Sequence, residues 1–361
     1  MNEPALTVMT WNLYLGAQID PVLKVGFQDQ ELLASTAAEV WNEILENDFR
    51  DRAVAIVGSI QAAKPDLVGF QELARFRSSA RDSATGAWTA TETLDFQAIL
   101  EEELKTRRLP YSFAAVIENT RAEVPIRGFR DDDRFIATRS VELTVRDAVL
   151  VRETARIDEV SQGNYKAGVN LGRDPSGSEI LMTRGWIEVA AEVGGFPVRF
   201  VNTHLETQPH SSVQLRQTRE LLTEVVPEPV VATILVGDFN SDAAASPERD
   251  SWTSTYEKIT GAGFVDTWAA SRQPSGAKGC TCCYSPHLRD APTPLDQRID
   301  FIFVRGLGGP AVRPTERSRG WPGWTTEVLG RGPSGETSPG GRRPSDHAGL
   351  VTRFGALPFW S

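Results

Sequence analysis

The sequence predicts a mixed α/β protein whose strands and helices form layers around one core. Three observations carry that expectation. Short apolar runs rich in β-branched residues recur along the chain and stop in polar residues. Stretches of helical period lie between them; Ala53, Ile56, Val57 and Ile60, for example, fall at i, i+3, i+4 and i+7. No linker separates halves of different composition and no repeat recurs at a fixed spacing, so residues 1–361 are expected to form a single domain. With 40% hydrophobic and 24% charged residues, the chain can bury a large core.

In order, a core strand is expected over 5–13, with Asn12 at its end. Helices are expected over 30–45 and 50–63, the second broken by Lys64-Pro65-Asp66. A short strand over 67–70 ends in Gln71-Glu72, and a helix covers 94–106. Strands follow over 112–117, 142–145, 148–151, 179–182, 186–192 and 198–203. Asp174-Pro175-Ser176-Gly177 and Gly194-Gly195 supply turns between them. The run from Asn202 to Glu206 leads into a helix over 213–225.

The stretch VVATILVGDFN, from Val230 to Asn240, reads as a central strand. Its apolar residues suit burial, and Asp238 and Asn240, two apart, share a face in extended chain while Phe239 turns to the core. A helix over 252–259, strands over 264–268 and 298–304, and a last strand over 348–354 complete the pattern. Residues 271–297 and 306–344 are dense in Gly and Pro and read as irregular loops.

The net charge is −10, with 48 acidic against 38 basic residues, which disfavours tight non-specific binding to nucleic acid. It does not exclude an enzyme that meets phosphate through a cation. No apolar run approaches the ~18–20 residues needed to span a bilayer, so no stable membrane insertion is expected. The N-terminus enters a strand pattern at once, leaving no room for a signal peptide. A chain native from Met1 is expected in the cytoplasm, and one whose leader was removed outside the cell.

Polar groups at strand ends are the chemical signal: Asn12, Glu72, Asn202, His204, Asp238, Asn240, Asp300 and the pair Asp346-His347. Each alone has a structural explanation as a turn residue, a cap or a packed histidine. Two of the four histidines fall in this set. In order, TWNL, FQE, NTHLE, GDFN, RIDFIF and SDH resemble the motifs of the endonuclease/exonuclease/phosphatase family, from Thr10 to about Val351. The resemblance implies a DNase I-like four-layer sandwich: two packed mixed β-sheets flanked by helices, with the site at one end of the sheets.

It also implies metal-dependent hydrolysis of a phosphate ester, more a diester than a monoester. Glu72, Asn12 and Asp346 match the family's metal positions. Oxygen ligands suit Mg²⁺ or Mn²⁺, with Ca²⁺ a further candidate. Asp238 matches the group that activates water, and Asn240 the one that holds the water or a phosphate oxygen. His347, gripped by Asp300, and His204 match the phosphate-contacting histidines. Asn202 reads equally as functional or as a partner of neighbouring loops. The implied partner is a nucleic acid, a lipid headgroup or a small phosphodiester, met by a monomer. Nuclease action on DNA or RNA, sphingomyelinase-like cleavage and a catalytically silent binding module are the alternatives.

Other features stay outside this set. Cys280, Cys282, Cys283 and His287 match no common structural zinc spacing; a disulfide between Cys280 and Cys283 or a similar pair, and free thiols, are the other readings. Arginines around 127–134 and 313–319 suit either substrate contact or a solvated face. Trp321 and Trp324 suit either substrate stacking or packing. No strongly apolar hairpin of the kind that enters a membrane is evident.

Overall fold

The computed structural model describes residues 5–132, 134–173, 179–227, 232–250, 252–289, 295–306, 323–330 and 337–355. Val230, Val231, the 174–177 turn, the 313–319 arginines and Trp321 lie outside these residues. Among the described residues, one sheet contains β1 (Leu6–Asn12), β2 (Leu67–Gln71), β3 (Arg75–Arg81), β4 (Trp88–Asp95), β5 (Tyr111–Asp131), β6 (Arg134–Arg152), β15 (Trp324–Val328) and β16 (Leu350–Phe354). Its order is β15-β16-β1-β2-β6-β3-β4, with β5 on β6. The other runs β13-β14-β12-β11-β10-β7. It is built from β7 (Arg156–Asn164), β10 (Gly185–Val193), β11 (Phe196–His204), β12 (Ala232–Asp238), β13 (Val265–Asp266) and β14 (Asp300–Arg305). A small ribbon joins β8 (Val169–Arg173) to β9 (Glu179–Met182).

Alternation along the strands sorts side chains into layers. Val8, Leu67, Ile234, Val236, Ile302 and Val304 meet in the core between the sheets. Their sequence neighbours point outward. Met9, Trp11 and Phe70 pack under helices α1 (Gln30–Glu46), α2 (Phe49–Ala63) and α3 (Phe96–Thr106). On the other side Leu235, Phe239, Phe301 and Phe303 pack against Leu221, Val225 and Ile259. Full burial of each such side chain stabilises the fold by about 1.5–3 kcal/mol. The result is the mixed four-layer α/β sandwich that the sequence led us to expect.

Several elements differ from expectation. The strands foreseen over 112–117, 142–145 and 148–151 belong to one long hairpin, β5–β6. Its polar outer half hides the apolar signal; Phe129 near its tip is exposed. β3, β4, β7 and β8 were not foreseen, because their exposed sides carry Arg, Thr, Ser and Glu and little apolar periodicity. The strand over 264–268 shrinks to Val265–Asp266, since the Asp266 carboxylate accepts from Trp268 N and Ala269 N and caps a helical turn. The helix over 252–259 occupies Thr255–Gly261, and that over 213–225 runs Ser211–Glu220 before widening into a π turn. The 306–344 stretch is not all loop: β15 lies within it, and Trp324 packs against the core, its Nε1 donating to Thr267 O at 2.9 Å.

Candidate active site

Strand register assembles the site. β11 runs parallel to β12, and β14 antiparallel, so that His204, Asp238 and Asp300 lie abreast on three adjacent strands. In the facing sheet, parallel β1 and β2 bring Asn12 beside Gln71, with Glu72 one residue on. Gly237 permits this closeness: at φ +144°, a Cβ there would lie 1.8 Å from Thr203 O.

Asn12 bridges the two sheets. Its Nδ2 donates to Glu72 Oε1 at 3.1 Å and to Asp238 Oδ2 at 3.0 Å, while its Oδ1 accepts from Tyr14 N. Glu72 Oε2 accepts from Leu15 N. Asn240 departs from the extended alternation expected of it. β12 ends at Asp238, and Asn240 takes φ +48°. Its backbone N–H donates to Asp238 Oδ1, and its Nδ2 lies 3.3 Å from His204 Nε2.

The 345–347 segment is pinned from both sides. Ser345 Oγ donates to Asn12 O at 2.7 Å, and Trp11 Nε1 donates to His347 O at 3.0 Å. The buried Arg52 guanidinium donates to Leu13 O, Tyr14 O and Pro344 O, tying this segment to the end of β1. His347 Nδ1 lies 2.9 Å from Asp300 Oδ2, and its Nε2 lies 3.9 Å from Asp238 Oδ2.

Charges in this enclosed space shift one another. Burial would strip His347 of its proton, but the carboxylates of Asp300 and Asp346 hold it well above its usual range. His204 goes the other way, pushed well below its range by burial and by the Arg184 and His347 charges. Burial, then the Asp300 charge, raises Asp238 to about 7, against the pull of His347. Asp346 rises to about 6, chiefly through burial.

The structure therefore brings Asn12, Glu72, His204, Asp238, Asn240, Asp300, Asp346 and His347 into one neighbourhood. Asn202 belongs elsewhere. Its Nδ2 donates to Phe70 O and Ala148 O, both at 3.0 Å, and its Oδ1 accepts from Gln71 Nε2 at 2.6 Å, stapling the two sheets together.

Four further groups were missed. Arg184 Nη1 lies 3.2 and 3.3 Å from the two His204 ring nitrogens, and its guanidinium pairs with Glu206, whose side chain is fully buried. Asp147 Oδ1 lies 3.9 Å from His204 Nδ1 and accepts from Glu72 N, while its Oδ2 accepts from Asn119 Nδ2 at 2.5 Å. Burial raises Asp147 to about 7. The charged pair Arg146-Asp147 between the expected strands 142–145 and 148–151 was the available signal for Asp147.

The donors fit a hard divalent cation. Glu72, Asp238, Asp300 and Asp346 concentrate negative charge in a mostly buried space. Among the described residues, Asp300 Oδ1 is buried without a hydrogen-bond partner. One atom each from Asp238, Asp300 and His347 also falls within 4.8 Å of the others, but a protonated imidazole is no metal ligand, so the carboxylate oxygens are the donors there.

A buried carboxylate–imidazole cluster at one end of a two-sheet sandwich is a site suited to holding a divalent cation and an anionic substrate together. The model of the Endonuclease/Exonuclease/phosphatase family matches residues 9–347, and the chain belongs to that family. It is accordingly a phosphoesterase. No curated protein matches the chain. Among solved structures, D. rerio TDP2 complexed with single strand DNA product is similar at 17% identity and TM-score 0.52, over 97% of this chain and 99% of that one. A family protein from Leptotrichia buccalis matches at 14% and 0.53, over 97% and 100%. A mannosyl-6-phosphatase from Bacteroides thetaiotaomicron matches at 17% and 0.50, over 98% and 100%. These likenesses concern the fold.

Proposed function

We propose that the protein is a divalent-metal-dependent phosphodiesterase in which Asp238 takes the proton of the attacking water. The observation that carries this reading is the placement of Asp238. It stands abreast of His204 and Asp300, receives Asn12 and Asn240, and is held up to about 7, where a carboxylate accepts protons readily near neutrality.

The other roles follow from geometry. Asp300 grips His347 Nδ1 and leaves Nε2, protonated, to donate to a phosphate oxygen. Asn240 holds the water or a second phosphate oxygen. His204, kept neutral, and Arg184 beside it face the charge that develops in the transition state. Glu72 and Asp346, with Asn12 beside them, would hold Mg²⁺ or Mn²⁺, whose chemistry when bound is to polarise a phosphoryl oxygen and offset charge on the leaving oxygen.

The test is a panel of plasmid DNA, RNA, sphingomyelin, inositol polyphosphates, p-nitrophenyl phosphate and bis-p-nitrophenyl phosphate. Metal-dependent turnover of diesters is expected, abolished by EDTA and restored by Mg²⁺ or Mn²⁺. Preference for the monoesters would make the enzyme a phosphatase. No hydrolysis under Mg²⁺, Mn²⁺ or Ca²⁺ would leave a binding module.

A further inference from the structure

The three cysteines were set apart from the site by sequence spacing, but the fold places Cys282 and Cys283 beside it. Thr281 N donates to Gln297 O, and Thr281 Oγ1 accepts from Ile299 N and Asp300 N at 3.3 and 3.2 Å. On the other side, Ala348 N donates to Thr281 O at 2.7 Å, and Tyr284 N to Asp346 O at 2.8 Å. Residues 281–284 are thus bonded to both segments that carry the Asp300–His347 pair.

Within this segment the structure joins Cys282 to Cys283, and Cys280 stands outside the disulfide. His287, the zinc ligand that spacing offered, lies exposed beside Glu43 instead. The histidine that approaches the pair is His347, a ring nitrogen of which lies within 4.8 Å of both sulfurs. Cys282 and Cys280 are buried, and Cys283 is exposed.

We propose that Cys282 and Cys283 form a reversible thiol-modification site, at which small thiols and soft electrophiles reach Cys283 and act on His347. The role of His347 rests on the function proposed above; the thiol chemistry does not. An incoming thiolate RS⁻ meets the exposed sulfur of Cys283. A new S–S bond forms there, the bond to Cys282 breaks, and its electron pair leaves on Cys282, which takes a proton from water. Cys283 then carries SR against His347. A second thiolate attacks the SR sulfur, releases RSSR and frees Cys283, so that two small thiols supply the two electrons of reduction. The freed thiolate adds to a maleimide: an S–C bond forms, the C=C π bond opens, and a proton joins the neighbouring carbon.

The experiment uses wild-type protein and N-ethylmaleimide, before and after treatment with dithiothreitol and its removal. Peptide mass spectrometry is expected to find no maleimide on Cys283 before reduction and one after. Hydrolysis of bis-p-nitrophenyl phosphate should then fall about a hundredfold, the cost of displacing a reacting group by roughly 1 Å. The ¹⁵N signal of the His347 ring, assigned among four histidines with H347Q, should shift on modification. C283S put through the same treatment should keep its activity, with C283A as a second variant if the serine form folds poorly. Equal labelling of Cys283 without reduction would overturn the disulfide. A modified Cys283 that moves neither the ring signal nor turnover would overturn the coupling. If no phosphate ester is turned over at all, the ring signal still decides, so failure of the functional reading is separable.

Discussion

His204 and His347 approach the same atom, Asp238 Oδ2, at 3.6 and 3.9 Å, yet their pKa values shift in opposite directions. Both are buried, so depth does not separate them. His347 faces the carboxylates of Asp300 and Asp346, which outweigh burial and keep it an imidazolium. His204 faces the Arg184 guanidinium, which joins burial in keeping it neutral. One carboxylate is thereby flanked by a cationic donor and a neutral ring. Identical side chains at similar depth take their roles from neighbours on other strands.

The largest expected effect breaks the cationic side. H347A should lower kcat by about 10³-fold, within the usual range for a positioned acid or base. D300N, which keeps shape and removes the charge, should cost about 10²-fold and return His347 to titration nearer its ordinary range, read by histidine NMR. If D300N left His347 protonated, the contrast between the histidines would need another cause. H204A is expected to cost somewhat less than H347A, since a neutral ring gives up less electrostatic stabilisation.

Arg184 tests the neutral side. R184M should raise the His204 pKa toward ordinary values and lower activity about tenfold or more. It also leaves buried Glu206 without its partner, so a stability loss of about 3–5 kcal/mol is expected by chemical denaturation. E206Q in the same chain should recover part of that stability without recovering activity.

The pH profile sharpens the comparison further. Asp238 must be ionised to accept a proton, and its pKa is raised, so activity should climb as pH rises toward about 7. The slope on that limb should be about tenfold per pH unit. A cation bound nearby favours the ionised form, so raising the metal concentration should move the limb to lower pH. A limb that ignored metal concentration would separate Asp238 from the ion.

The smallest effect on activity is expected from N202A. It removes three buried hydrogen bonds that join the sheets and should cost about 2–3 kcal/mol of stability, seen as a lower Tm. Turnover by the folded fraction should hardly change. Asn202 sits two residues from His204 and belongs to the scaffold.

Some of this was readable without coordinates. Apolar runs in 5–13, 67–70, 230–240 and 348–354 marked strands, and polar groups at or beside their ends marked Asn12, Glu72, Asp238 and His347, because an uncompensated polar group at the end of a buried strand calls for a partner. The order of six short motifs carried the family. What stayed hidden depends on contacts between distant residues. Arg184 beside His204, Asp147 under Glu72, and Cys283 against His347 join residues 20, 75 and 64 positions apart through strand pairing and loop packing, and no spacing in the chain encodes them. The charges of the two histidines are of the same kind. The sequence by itself marked most of the side chains at the end of the sandwich; tertiary structure added Arg184, Glu206 and Asp147, removed Asn202, and decided through these neighbours which histidine carries the proton.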